Sequence, residues 1–389
     1  MAPITWLDKL EEQLNVDVDW MDPEYIKSML PKIKFHDQTS NQLWVDIQLH
    51  HESNADLLKQ VTKELKDQGW LAIYTRMAVL MCKKNIDNIQ GRVLLQTLPS
   101  KAYDTEFTLS HARLYDAEFK RAGISRDRFC IKIPSTGPAL NAAKILQQEG
   151  IQTLGTALFG VPQAVACSQA GCLYISPYYN ETQAHDDPKL WPNVKDPATE
   201  HPNSPRIIQI LEVYKKLYKE TGREQPLVKN ARYDSSLHTR LPHDPGVANL
   251  LPPQNSFVSP EEAMAAGEMG CHSATISHTV LNELASRPYD AASQPGQGEP
   301  KRAHAYKDAR VLPARFAPLL AIDPLSPENK AALAEAAYVD YLADGGKKLD
   351  EAIAADPETA KRLKVALELF TGGENHSKEK VEEAIKEAA

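Results

Sequence analysis

The sequence has no run approaching the ~20 apolar residues that a membrane span requires. Its first segment, MAPITWLDKLEEQL, carries acids where a secretory leader would be basic and then apolar. A cytosolic protein with no membrane partner is expected. Positive charge is not in excess, with 44 Lys and Arg against 52 Asp and Glu and a net charge of −8. That balance argues against a nucleic-acid surface, which depends on concentrated cations. Cysteine is sparse: Cys82, Cys130, Cys167, Cys172 and Cys271 are odd in number and scattered, which suits reduced core residues rather than a disulfide or zinc framework. No GxGxxG or Walker loop follows the first predicted strand, and no GxSxG elbow or Ser-His-Asp order occurs. His50, His51, His238 and His243 lack metal spacing with nearby carboxylates or cysteines, so no metal and no cofactor is expected.

What is present is an ordinary globular composition over 389 residues, 42% hydrophobic and 25% charged. Helical patterns repeatedly end at a glycine and hand over to a short apolar run. Asn54 can cap a helix with Leu57, Leu58, Val61 and Leu65 on one face, ending at Gly69. The stop recurs at Gly123, Gly150, Gly171, Gly222 and Gly270. The runs 91–98, 128–135, 151–160, 172–179, 226–233 and 272–277 read as buried parallel strands, and 15–19 and 34–40 bring the count to eight. Eight strands alternating with helices fit a (β/α)8 barrel or a doubly wound sheet, and the compact, nearly equal units favour the barrel. Residues 1–324 form that predicted barrel. Residues 325–389, rich in Ala, Glu, Lys and Leu, form a predicted helical extension that packs on the barrel or on a second subunit, as in a homodimer. The long polar segments 180–204 and 234–259 each follow a strand and would sit on the face that carries active sites. Ser259 to Glu262 reads as a capping box.

Lys132 stands inside a predicted strand, between Ile131 and Ile133. Either its stem snorkels from a strand end, or it points inward, where desolvation makes a lysine amine able to attack carbonyls. The run GRVLLQTL, then YDTE (103–106), AGISRDRFCIKIPST (122–136), EGIQTLGTALFGVPQAVACSQAGCLYISP (149–177) and GCHSATISHTVLNELA (270–285) resembles transaldolases in order and spacing.

The resemblance implies an eight-stranded barrel that forms a Schiff base through a lysine on its fourth strand, where Lys132 falls. It implies a proton-transferring aspartate at Asp19, with Asp22 three residues on. It also implies a donor-binding asparagine at Asn41, a water-holding threonine at Thr156 and a donor-binding serine at Ser176. Taken singly, Asp19 also reads as a cap, Asn41 as a turn residue, and Thr156 and Ser176 as small core hydroxyls. The usual proline after the asparagine is here Gln42. The third-strand glutamate of classical members is matched by Gln96, which can orient water but cannot exchange its proton. The phenylalanine after the sixth strand is matched by Tyr178. Those two substitutions resemble the fructose-6-phosphate aldolase branch. Glu181 and Asp234 stand at the places of two phosphate-binding arginines, Leu154 replaces a strand-five asparagine, and Arg232 offers one cation.

The expected function is therefore a cofactor-free class I aldolase acting on a non-phosphorylated carbonyl compound. Its rivals are a true transaldolase that moves dihydroxyacetone between sugar phosphates, and a catalytically inactive barrel used for binding.

Overall fold

The structure, a computed structural model, describes residues 3–181, 188–231, 257–292, 295–309, 311–327 and 335–388. Seven parallel strands form one curled sheet: β1 (Asn15–Val18), β2 (Val93–Gln96), β3 (Phe129–Pro134), β4 (Thr153–Leu158), β5 (Tyr174–Pro177), β6 (Leu227–Asn230) and β7 (Ser273–Ile276). Their spatial order is β1-β7-β6-β5-β4-β3-β2. Each lies within a predicted run, and each is nearly all buried, as parallel strands covered on both faces must be.

The predicted eighth strand at 34–40 does not form a regular ladder, yet it closes the ring. On one side His36 N donates to Val16 O, Val18 N to Asp37 O and Thr39 N to Val18 O. On the other side Gln38 N donates to Arg92 O and Leu94 N to Gln38 O. The pattern breaks at Asp37, whose N–H goes to the Asp17 carboxylate at 3.0 Å instead of to a neighbouring carbonyl. Gln38 alone bridges both β1 and β2. The fold is thus a (β/α)8 barrel with one irregular stave.

Local signals explain most of the boundaries. All six predicted glycine stops have positive φ, from 68° at Gly222 to 88° at Gly270, a region that side chains with a Cβ enter only at a cost. The helix Ala55–Leu65 begins after Asn54, but the Asn54 side chain makes no cap; its amide donates to Gln48 O. Ser259 does cap the helix Pro260–Met269, while Glu262 leaves the expected box and accepts from Asn180, Trp191 and Val258. All five cysteines are free and buried.

Two packing layers result. The larger joins the outer faces of the strands to the helices, and a small one, Leu94, Cys130, Leu154 and Tyr174, fills the barrel interior. The chain then returns over the barrel. Helix Lys347–Ala354 is followed by the 31-residue helix Pro357–Glu387, capped by Asp356 with Pro357 in its first turn. Glu374 of this long helix accepts from Ser100 N and Oγ (3.2 and 2.6 Å), and its Gly373 lies so close that a Cβ there would sit 2.6 Å from Leu43. Arg206 ties its first turn to the barrel through Asp356, Thr359 and Phe159 O. Among the described residues no helix is long and apolar enough to cross a membrane.

Candidate active site

β3 is the fourth stave once segment 36–39 is counted. In parallel register Gln96 pairs with Lys132 and Lys132 with Leu154, so all three project to the same face, the barrel interior. The Lys132 amine is buried. Nζ donates to Thr39 Oγ1 at 3.0 Å and to Ser40 O at 2.8 Å, both neutral acceptors. Burial dominates its electrostatics and pushes its pKa down to about 8, although the charge of Asp19 opposes the shift.

A second buried lysine, deeper in the barrel, makes an instructive contrast. Lys229 Nζ lies 2.7 Å from Asp17 Oδ2, 2.8 Å from Asp37 Oδ2 and 3.1 Å from Ser273 Oγ, with the Tyr174 ring 4.2 Å away. Burial alone would lower its pKa, but the two carboxylates reverse the sign and hold it as an ammonium ion. Of the two equally enclosed amines, only Lys132 is placed to be a nucleophile.

Asp19 follows β1 and accepts from Trp44 Nε1 at 2.7 Å. Its charge acts on both Lys132 and Tyr178. Thr156 of β4 and Tyr178, just beyond β5, meet at 3.2 Å between hydroxyls. A bulge makes that meeting possible: the β4–β5 register slips between Gly155 and Leu158, and Ala157 takes a positive φ of 51°. Burial raises the Tyr178 pKa, only partly offset by the Thr156 hydrogen bond, so the phenol stays protonated as a donor. The Gln96 amide has neither of its polar atoms partnered, although it is fully buried beside Lys132. Such an amide is costly unless something in the cavity completes it. Ser176 is buried in β5, two residues before Tyr178.

The remaining sequence candidates fall differently. Asn41 caps the helix Gln42–His50, its Oδ1 accepting from Leu43 N and Trp44 N at 2.9 and 3.3 Å, which leaves only the amide nitrogen for a ligand. Asp22 is also a helix cap. Arg232 and Asp234 lie outside the described residues. Glu181 is not a bare negative charge: Arg362 Nη2 and Lys361 Nζ of the C-terminal helix approach it to 3.4 and 3.5 Å.

Several contributors went unread in the sequence. Thr39 and Ser40 hold the lysine, and Trp44 holds Asp19. Trp20 packs edge-on to Trp44 and lies tilted by 34° against His278, beyond β7, with ring centroids 4.5 Å apart. The only local signal was the DQTSN run, in which polar residues crowd a strand end.

The site is thus a closed (β/α)8 barrel that brings an amine of lowered basicity, a carboxylate and paired hydroxyls together on neighbouring staves. The Transaldolase/Fructose-6-phosphate aldolase family model matches residues 16–317, and the chain belongs to that family. It is 40% identical over 150 residues to a transaldolase of Nostoc punctiforme, a match covering 37% of this chain and 42% of the relative. A transaldolase of Gloeobacter violaceus is 34% identical over 203 residues, covering 47% and 51%. A Synechocystis transaldolase is 28% identical over 299 residues, covering 72% and 64%. The chain spans about half the length of the curated relatives it matches.

Proposed function

We propose that the chain is a class I aldolase of transaldolase type in which Lys132 forms a Schiff base with a non-phosphorylated carbonyl substrate. The observation that carries this reading is the environment of Lys132: enclosed, neutral in its contacts, and lowered in basicity where Lys229 is raised. Neutral Nζ adds to the carbonyl carbon, and the carbinolamine loses water to give a protonated imine. The imine draws in the electron pair of the Cα–Cβ bond, one bond beyond the imine carbon, as Asp19 accepts the proton of the hydroxyl on Cβ; Cβ departs as an aldehyde and an enamine stays on Lys132. Protonation of the enamine carbon and hydrolysis of the imine then free the lysine. Thr156 and Tyr178 hold the water that enters and leaves, Gln96 completes its amide against substrate or water, and Ser176 and the Asn41 amide orient the donor. The engagement of Glu181 by Arg362 and Lys361 consumes the cationic charge that a phosphate dianion would need.

The test is borohydride trapping followed by peptide mass spectrometry, with dihydroxyacetone, hydroxyacetone and fructose 6-phosphate compared. Label is expected on Lys132 with the unphosphorylated ketones. Label confined to other lysines would sink the Schiff-base assignment. A sugar phosphate preferred by orders of magnitude would instead hand the unpartnered, buried Nη1 of Arg362 the role of anion holder and restore the transaldolase reading. The trapping rate should climb about tenfold per pH unit and level off near pH 8, because only the neutral amine attacks. At pH 7 about a tenth of Lys132 is neutral, against about three in ten thousand for an ordinary lysine.

Tyr178→Phe removes the partner of Thr156 and the donor to the bound water. We expect kcat to fall roughly ten- to a thousandfold with little change in trapping yield at equilibrium. A change confined to thermal stability would assign Tyr178 to packing against Phe159.

A further inference from the structure

We propose that Asp46, His50 and His376 form a divalent-cation site, of a kind suited to zinc, that fastens the C-terminal helix to the barrel. Against the sequence expectation that His50 has no suitably spaced carboxylate, Asp46 lies four residues before it on one face of the helix Gln42–His50, the spacing at which two side chains reach one ion. His376 arrives from the C-terminal helix, 330 residues later in the chain. The three ligating atoms all lie within 4.8 Å of one another. His376 Nδ1 is 2.7 Å from Asp46 Oδ2, and His50 Nδ1 is 3.4 Å from Oδ1 and 2.9 Å from the Asp46 carbonyl oxygen. Tetrahedral zinc with bonds of about 2.0–2.1 Å sets its ligands about 3.3–3.4 Å apart, so the two gaps to the Asp46 carboxylate need adjustments of well under 1 Å, and the two histidines, within 4.8 Å of each other, close by at most about 1.5 Å.

The surrounding shell suits a metal ligand set. Asp46 is buried, and Ser377 Oγ donates to its Oδ1 at 2.9 Å, which fixes the carboxylate from behind. The two imidazoles stack at 4.1 Å with planes 7° apart. Parallel rings point their Nδ1 lone pairs side by side, so each ring must tilt for both to converge on one ion. Side-chain exposures of 26% and 35% leave room for that tilt and for water as the fourth ligand. On binding, each neutral imidazole moves its Nδ1 proton to Nε2 and releases none, whereas an imidazolium releases one. Lys380 acts against any cation here through its charge on His50.

The helix concerned is capped by Asn41 and carries Trp44, the donor to Asp19, so an ion at this place ties the extension to an element of the candidate active site. The experiment takes the full chain stripped with chelator and titrates it with zinc chloride by calorimetry, then with cobalt(II), whose visible d–d bands report tetrahedral ligation. About one equivalent is expected to bind, with the thermal midpoint raised by several degrees at saturating zinc. His50→Gln and His376→Gln should each weaken binding by roughly tenfold or more and remove that rise. Zinc should also shield His50 and His376 of the unmodified chain from diethyl pyrocarbonate, which tests the site even where a variant fails to fold. No saturable uptake, uptake that persists in the double variant, or histidines left unshielded would overturn the proposal.

Discussion

Replacing Lys132 with methionine is expected to abolish borohydride trapping and lower turnover roughly 10⁴-fold or more, while leaving the barrel folded and no less stable. The first half follows from covalent catalysis, since among the described residues the other lysine buried in the barrel, Lys229, is locked between two carboxylates. The second half follows from linkage. The folded-state pKa of Lys132 is lowered to about 8, whereas an unfolded lysine titrates near 10.5. Below pH 8 the native state must therefore carry an ammonium ion that its surroundings disfavour, and stability from this group rises only as pH climbs from 8 toward 10.5. Methionine is similar in length, carries no charge and removes that penalty at pH 7. It gives up two hydrogen bonds, to Thr39 and Ser40, worth about 1 kcal/mol each in net terms. Urea unfolding at pH 7 and at pH 9.5 separates these contributions: the stability advantage of the variant should shrink at the higher pH. A variant that unfolds at neutral pH would mean that Lys132 is a structural ion.

The contrast between the two lysines also marks how far the sequence was legible. The strands could be read because each is a short apolar run, and five of the seven, β3 to β7, follow a glycine with positive φ; both signals are local. Lys132 could be singled out because a charged residue between two isoleucines stands out in such a run. The irregular stave could not be read, because its ladder is broken by a side chain from another strand, Asp17, capturing the Asp37 N–H. Asn41 illustrates a second use that its match to a donor ligand did not reveal: the helix takes its oxygen as an N-cap, as helix N-termini do with a well-placed asparagine, and leaves the amide nitrogen. Glu181 read as a repulsive charge because its partners, Lys361 and Arg362, lie some 180 residues further on. The same distance in sequence hid His376 from Asp46. Contacts made by the C-terminal helix leave no periodic trace at the positions they touch.

Lys229→Met is expected to cost about 3–5 kcal/mol, the range for removing one member of a buried ion cluster. No catalytic step passes through Lys229, so the loss should appear in the unfolding midpoint. Asp17 and Asp37 face the interior with the lysine between them, and in its absence two carboxylates would be left together in a dry environment. The pair is already under tension in the intact chain. Burial raises the pKa of Asp17 to about 6, with the charge of Asp37 adding to the rise. At Asp37, by contrast, Lys229 outweighs burial and lowers the value. The signs give a pH signature. Asp37, lowered, contributes stability above its unfolded pKa that is lost in acid, while Asp17, raised, weakens the fold as pH rises from 3.8 toward 6. Without the lysine both pKa values move up, and the two carboxylates come to share one proton, with the charge of Arg92 still favouring an ionised Asp37. The variant should therefore gain stability as pH falls from 7 to 5, and its deficit against the parent should be widest near pH 7–8. The measurement is denaturant unfolding of both proteins at half-unit steps from pH 5 to pH 8. A deficit that stays constant across that range would place the lost stability in packing against the Tyr174 ring, 4.2 Å from the ammonium group, and not in the two aspartates.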